Sequence, residues 1–167
     1  DQAIGAKYLQ QKGLAKKILI VDLDVHQGNG TAEIFQSNDD VFTFSMHGAN
    51  NYPLRKESSD LDIPLADGTK DDAYLELLVT HLERITQEFQ PDFIFYQCGA
   101  DILETDQLGR LGVSVAGCKK RDEIVLKKAL ELEAPLVCSM GGGYSEDIKV
   151  IVEAHANTFR LAQDLFF

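Results

Sequence analysis

ILIVDLDVHQGNGT, residues 18–31, is the stretch whose reading decides the fold. Four branched apolar residues, Ile18 to Val21, follow the basic pair Lys16 and Lys17 and give way to Asp22, Asp24 and His26, then to Gly28 and Gly30. An unbroken apolar run bounded by charge on one side and glycine on the other reads as a parallel strand buried on both faces. Ligand-binding groups gather at the carboxyl ends of such strands. Residues two apart on a strand share a face, so Asp22, Asp24 and His26 are expected to point the same way unless the strand has already unwound. Three groups able to bind a metal or move a proton are thereby delivered to one place.

Upstream, Asp1 to Lys12 reads as a short helix with Ile4, Tyr8 and Gln11 in line and Gly13 as its stop. Downstream, Gly30 to Gln36 gives one or two helical turns, and Val41 to Met46 (VFTFSM) a second buried strand ending at His47. Gly48 to Lys56, with Asn50, Asn51 and Pro53, is a loop rising from that strand end, where binding surfaces are built. Leu61 to Leu65 is a short strand containing Pro64, and Asp67-Gly68 a turn. Thr69 to Gln90 is the clearest helix, with Asp71 and Asp72 in its first turn and Leu75, Leu78, Leu82, Ile85 and Phe89 at helical spacing. Asp92 to Cys98 (DFIFYQC) is a third apolar strand, again ending in glycine and an acid, Gly99-Ala100-Asp101. Ile102 to Val115 is irregular, and Arg121 to Glu133 is a helix with Ile124, Val125, Ala129 and Leu132 inward. Pro135 to Met140 is a fourth strand running into Gly141-Gly142-Gly143-Tyr144, and Ser145 to Phe167 a last helix with Ile148, Val152, His155, Phe159 and Ala162 near one face. His81 and His155 read as packed or surface residues rather than ligands. The alternation predicts an α/β domain: a mostly parallel β-sheet, helices on both faces, and a site along its carboxyl edge.

At 167 residues, 44% hydrophobic and 26% charged, the chain supplies one core or part of one. A net charge of −11, with 16 basic against 27 acidic residues, opposes nucleic-acid binding, which needs a basic patch. Such a surface suits a cationic partner, although solubility alone accounts for it. Cys98, Cys118 and Cys138 show no paired spacing, which suggests ordinary thiols in a reducing, cytoplasmic compartment. No apolar run reaches membrane-spanning length and no targeting segment is visible.

The carboxyl edge gathers Asp22, Asp24, His26, Ser45, His47, Asp101 and Tyr144. Two carboxylates and an imidazole suit a divalent ion such as zinc. The ion would acidify a water molecule and polarise a carbonyl, with Tyr144 placed to stabilise an oxyanion after three glycines. Metal-assisted amide hydrolysis is the reaction these parts fit. A phosphotransfer enzyme of the haloacid-dehalogenase type competes, because an apolar strand followed by Asp22-x-Asp24 is also its signature. Magnesium, Ser45, Lys70 and Asp101 or Asp106 would complete it, with His26 and Tyr144 left over. A scaffold that keeps the fold without the chemistry is the third reading.

Three motifs in order carry a resemblance. Asp22-Leu23-Asp24-Val25-His26-Gln27-Gly28-Asn29-Gly30, Phe95-Tyr96-Gln97-Cys98-Gly99-Ala100-Asp101 and Gly141-Gly142-Gly143-Tyr144 resemble segments of the zinc-dependent histone deacetylases, within the arginase/deacetylase superfamily. Gln27, the run Asp101 to Asp106 and Lys120 to Glu123 are most similar to the class IV branch. The resemblance implies zinc on Asp24, His26 and Asp101, and oxyanion stabilisation by Tyr144. Asp22 and Asn29 would orient active-site histidines. A monovalent cation, usually potassium, would lie among Asp22, Asp24, His26, Ser45 and Met46, and an acyl-lysine channel would be lined by Tyr52, Leu108 and Gly143. The arginase branch is disfavoured, since it needs a second metal and more carboxylates. The family's paired general-base histidines have no counterpart among His26, His47, His81 and His155. Residues 1–167 are therefore expected to be the C-terminal part of a single catalytic domain, partnered by an N-terminal remainder and, alone, inactive.

Overall fold

The apolar run from Ile18 forms the middle of a sheet. In the computed structural model, which describes residues 1–167, β1 (Ile18–Asp22) lies centrally in a five-stranded sheet with β2 (Val41–Gly48), β3 (Leu61–Leu65), β4 (Phe93–Gly99) and β5 (Leu136–Gly141). The order is β3-β2-β1-β4-β5 and every pairing is parallel. Five helices complete the chain: α1 (Gln2–Lys12), α2 (Asn29–Phe35), α3 (Asp71–Phe89), α4 (Val115–Glu131) and α5 (Ile148–Phe166). Alternate residues of β1 serve the two sides of the sheet, as the strand period of two requires. Ile18 and Ile20 pack with Ala6, Phe35, Val41 and Phe95 under α1 and α2, whereas Leu19 and Val21 join the larger core beneath α3 and α4. The sheet therefore has helices on both faces, as expected.

Three elements depart from the sequence reading. α4 begins six residues before Arg121, because the Ser114 hydroxyl accepts from the Gly117 N–H at 3.0 Å and caps it. Its inward face includes Cys118, Arg121 and Asp122 as well as Val125 and Ala129, while Ile124 and Leu132 are only partly buried. α5 starts at Ile148, capped by Asp147, and the stripe read as its apolar face is largely exposed: Ile148, Val152 and Phe159 lie open, while Ala154, Asn157 and Thr158 are buried. In α1 likewise Ile4 and Tyr8 are exposed and Ala6 faces the core. No helix is long and apolar enough to cross a membrane.

The register sets the site. Asp22 lies opposite Ser45 on β2 and Gln97 on β4, so the chain leaves β1 while both neighbours run on, β2 to Gly48 and β4 to Gly99. β3, holding Pro64, is one sheet edge; β5 is the other and has a bare side.

Candidate metal centre

Beyond Asp22 the chain bends, yet the alternation continues: Leu23, Val25 and Gln27 are buried, and Asp22, Asp24 and His26 are partly exposed on the opposite side. The shared face expected of the three polar groups is thus present, but they divide. Asp24 and His26 meet Asp101 from the end of β4, and one potential ligand atom from each lies within 4.8 Å of the others. His26 Nδ1 is 3.0 Å from Asp24 Oδ1 and 3.2 Å from Asp101 Oδ2. Asp22 stays behind this cluster, its Oδ1 accepting from the Asp24 N–H at 3.1 Å.

The peptide groups around the cluster fix it. Asp101 Oδ1 accepts from the Val25 N–H at 2.9 Å, and Asp24 Oδ1 from the His26 N–H at 2.9 Å. Glycines allow the close approach: a Cβ on Gly99 or Gly142 would collide with the Asp101 carboxylate, and Gly142 has φ 59°. Two carboxylates and one imidazole at this separation are an oxygen and nitrogen donor set of the kind that binds zinc with open positions remaining.

The electrostatics describe a site that attracts a cation. Hydrogen bonds to Asp101 and then to Asp24 raise the His26 pKa to about 10. Burial pushes Asp24 upward, but its bonds to His26 and Asp101 outweigh this and hold it low. Asp101 is raised, mainly by burial and despite the bond to His26. Burial, reinforced by the charge of Asp24, lifts Asp22 to about 8. His26 Nδ1 thus sits between two carboxylates that favour a positive charge there.

The remaining residues singled out from sequence fall around this cluster. Tyr144 is exposed, and its backbone N–H donates to Asp106 Oδ2 at 2.6 Å. Tyr52 and Leu108 are exposed on neighbouring loops, and Gly143 has φ 109°. Asn29 opens α2 beside a cavity lined by Asp22, Gly28, Gly30, Thr31 and Gln97. Ser45 is buried, its hydroxyl 3.0 Å from His47 Nδ1, and burial lowers the pKa of His47. Met46 is fully buried on β2. His81 is partly buried with its Nδ1 unpartnered, and His155 is half-buried on α5. Lys70 lines a separate cavity with Asp71, Asp72 and Glu104, so it does not complete a phosphotransfer site with Asp22 and Asp24.

Three residues to which the sequence reading gave no role in the metal site, Asn51, Asp106 and Gln27, organise its rim. Asn51 donates to the Leu108 carbonyl at 2.8 Å and accepts from the Arg110 N–H at 3.2 Å, joining the two expected channel loops. Asp106 Oδ1 accepts from the Leu108 and Gly109 N–H groups at 2.9 and 2.7 Å, so one carboxylate anchors both the Leu108 turn and the Tyr144 loop. Gln27 is buried and bonds both to the Glu57 peptide and to Asp62, pinning the loop after Pro53. Arg121 lies beneath the Asp24 and Asp101 segments, bonded to the Leu23 and Gly99 carbonyls. Gln27, Asp106 and Arg121 fall in the segments similar to the class IV branch, but only the Asp106-x-Leu108-Gly109 turn chemistry points to one of these contacts.

Parallel order, helices on both faces and a carboxylate–imidazole cluster at the carboxyl edge define an α/β domain with a candidate metal-dependent active site. Residues 1–159 match the histone deacetylase domain family, and the chain belongs to that family. It is 46% identical over 166 residues to an uncharacterized protein of Picosynechococcus sp., covering 99% of this chain and 55% of that protein. It is 35% identical over 148 residues to histone deacetylase 2 of Arabidopsis thaliana, covering 86% of this chain and 38% of that one. Among solved structures, the HDA15 HD domain superposes with TM-score 0.79 at 28% identity, covering 98% of this chain and 50% of that chain. An acetylpolyamine aminohydrolase from Burkholderia pseudomallei gives 0.80 at 25% identity, covering 95% and 48%. A histone deacetylase homologue complexed with SAHA gives 0.78 at 27%, covering 97% and 45%. The chain thus spans about half the length of the relatives it matches, or less. Membership of this family displaces the phosphotransfer reading.

Proposed function

We propose that residues 1–167 are the C-terminal part of a catalytic domain that hydrolyses acyl-lysine amides, with zinc held by Asp24, His26 and Asp101. The observation that carries this reading is the convergence of those three side chains within 4.8 Å at the carboxyl edge of a histone deacetylase-family sheet. Zinc bound there supplies Lewis-acid polarisation of an amide carbonyl and acidification of water. The chain's own residues do the rest. Tyr144, held through its backbone by Asp106, donates its hydroxyl to the oxyanion as the carbonyl is attacked. Tyr52, Leu108 and Gly143 line the approach of the acyl-lysine side chain, and Asn51 keeps the Tyr52 and Leu108 loops in register.

Asp22 lines an open cavity whose wall includes Gly28 and Gly30, the neighbours of Asn29, and there Asp22 and Asn29 would orient general-base histidines supplied by an upstream segment. Asp22, Asp24, His26, Ser45 and Met46 form the proposed monovalent-cation site, consistent with the pairing of Asp22 with Ser45 across β1 and β2. Without the histidines the segment lacks general acid-base help worth roughly 10²–10⁴-fold, so it is inactive alone. The exposed stripe of α5 and the bare edge of β5 are where the upstream part packs.

Replacing Tyr144 by Phe in a polypeptide that includes the upstream segment should leave bound zinc unchanged and lower acyl-lysine turnover by about 10²–10³-fold, the usual cost of one oxyanion donor. Unchanged turnover would remove Tyr144 from the reaction. Robust deacetylation by residues 1–167 alone would remove the requirement for the upstream histidines.

A further inference from the structure

α4 contributes a charged pair that the ligand motifs do not account for. Arg121 is 1% exposed and Asp122 is fully buried. Asp122 Oδ1 accepts from Arg121 Nε at 2.9 Å, lies 2.8 Å from Arg121 Nη2 and accepts from the Tyr96 hydroxyl at 2.5 Å; Asp122 Oδ2 accepts from Thr158 Oγ1 at 2.6 Å. The carboxylate therefore fixes the guanidinium plane from one side. On the other side Arg121 Nη1 donates to two main-chain carbonyls, Gly99 at 2.6 Å and Leu23 at 3.3 Å. Leu23 immediately precedes Asp24, and Gly99 stands two residues before Asp101.

We propose that Arg121 is a positioning residue for the metal centre: by clamping the Leu23 and Gly99 carbonyls, it sets the spacing of the Asp24 and Asp101 carboxylates. The inference rests on the metal reading given above. Three physical points support it. The rigid guanidinium fork serves Asp122 and both carbonyls at once, whereas the single ammonium of lysine cannot span all three. The pair is neutral overall, so a cation held above it meets no net repulsion from Arg121. Burying a charge pair costs desolvation and is weak evidence for stability, which favours a role beyond holding the fold together.

The test is zinc affinity of the purified chain, measured by competition with a chromophoric chelator, together with the visible spectrum of the cobalt-substituted protein as a report on ligand geometry. The variants are Arg121→Lys, Tyr96→Phe and, as control, Asp24→Ala. Tyr96→Phe removes one donor to Asp122 with almost no change of shape, so it stays folded if Arg121→Lys does not. Arg121→Lys is expected to weaken zinc binding about 10–100-fold, as loss of groups that orient ligands does, and to shift the cobalt bands. Tyr96→Phe should weaken it about threefold. Wild-type affinity and an unshifted cobalt spectrum in a folded Arg121→Lys protein would overturn the proposal; so would wild-type affinity in Tyr96→Phe if Arg121→Lys does not fold. If Asp24→Ala binds zinc as tightly as wild type, or wild type binds none, the metal reading falls and the proposal falls with it.

Discussion

The proton shared by His26, Asp24 and Asp101 gives the site a pH dependence whose sign is fixed. His26 is raised from 6.5 to about 10 in the folded, metal-free chain, so that proton stabilises the fold fully below pH 6.5 and less as pH rises towards 10. Asp22, raised from 3.8 to about 8, acts in the same direction, its contribution present below pH 3.8 and lost as pH climbs through 8. Metal-free protein should therefore lose thermal stability between pH 6.5 and 9.5. Zinc must displace the His26 proton, so its affinity should rise about tenfold per pH unit from 6 to 8. Chelator competition at three pH values checks this, and a flat profile would mean that His26 is not a ligand. Gly142 offers a second residue-level outcome. At φ 59°, with a Cβ running into the Asp101 carboxylate, Gly142→Ala should cost more than about 1 kcal/mol in urea unfolding and weaken zinc binding. The convergence of Asp24, His26 and Asp101 was legible in the sequence because each follows an apolar strand. Arg121 and Asp106 stood within segments of the resemblance and Asn51 within a loop, but their contacts were not legible, because a side chain that bonds to distant main-chain groups has no local pattern.

At the scale of elements, the strands were legible and the helix starts less so. β1, β2 and β4 are unbroken apolar runs, which a strand buried between two helical layers produces. α4 was read six residues short because Ser114-Val115-Ala116-Gly117 carries a glycine in the first helical turn, where propensity argues against helix. The structure shows why glycine stands there: a Cβ on Gly117 would meet the Asp71 carboxylate, which lies against the start of α4. Asp71 Oδ1 accepts from the Ser114 N–H at 2.7 Å and Asp71 Oδ2 from the Ser114 hydroxyl at 2.5 Å, so this cap joins α3 to α4. Ser114→Ala removes the cap and strands part of the Asp71 carboxylate. It should lower stability by about 1–2 kcal/mol, read as a shift in urea midpoint at constant slope. A change within about 0.3 kcal/mol would show that the α3–α4 junction draws its stability from packing alone.

For the whole molecule, the informative feature is where apolar surface remains uncovered. β5 presents Val137 and Met140 beside its bare edge, and α5 presents Ile148, Val152 and Phe159, the last two 59% and 65% exposed. The sequence reading found the α5 stripe correctly as a pattern; the direction it faces could not be read, because periodicity does not say which neighbour a stripe packs on. A parallel sheet is normally covered on both faces and protected at its edges, so the β5 edge and the α5 stripe are two uncovered surfaces, each open to a partner. If that partner is an upstream part of the same domain, substituting the stripe should have opposite consequences in two settings. In residues 1–167 alone, Val152→Glu with Phe159→Glu should reduce concentration-dependent association in sedimentation. Its unfolding free energy should change by no more than about 1 kcal/mol, because both side chains are solvated there. In a polypeptide that includes the upstream segment, the same pair should cost several kcal/mol, because two charges would enter a packed interface without partners. Equal, small effects in both settings would show that α5 faces solvent in the longer protein, and that the upstream part docks elsewhere.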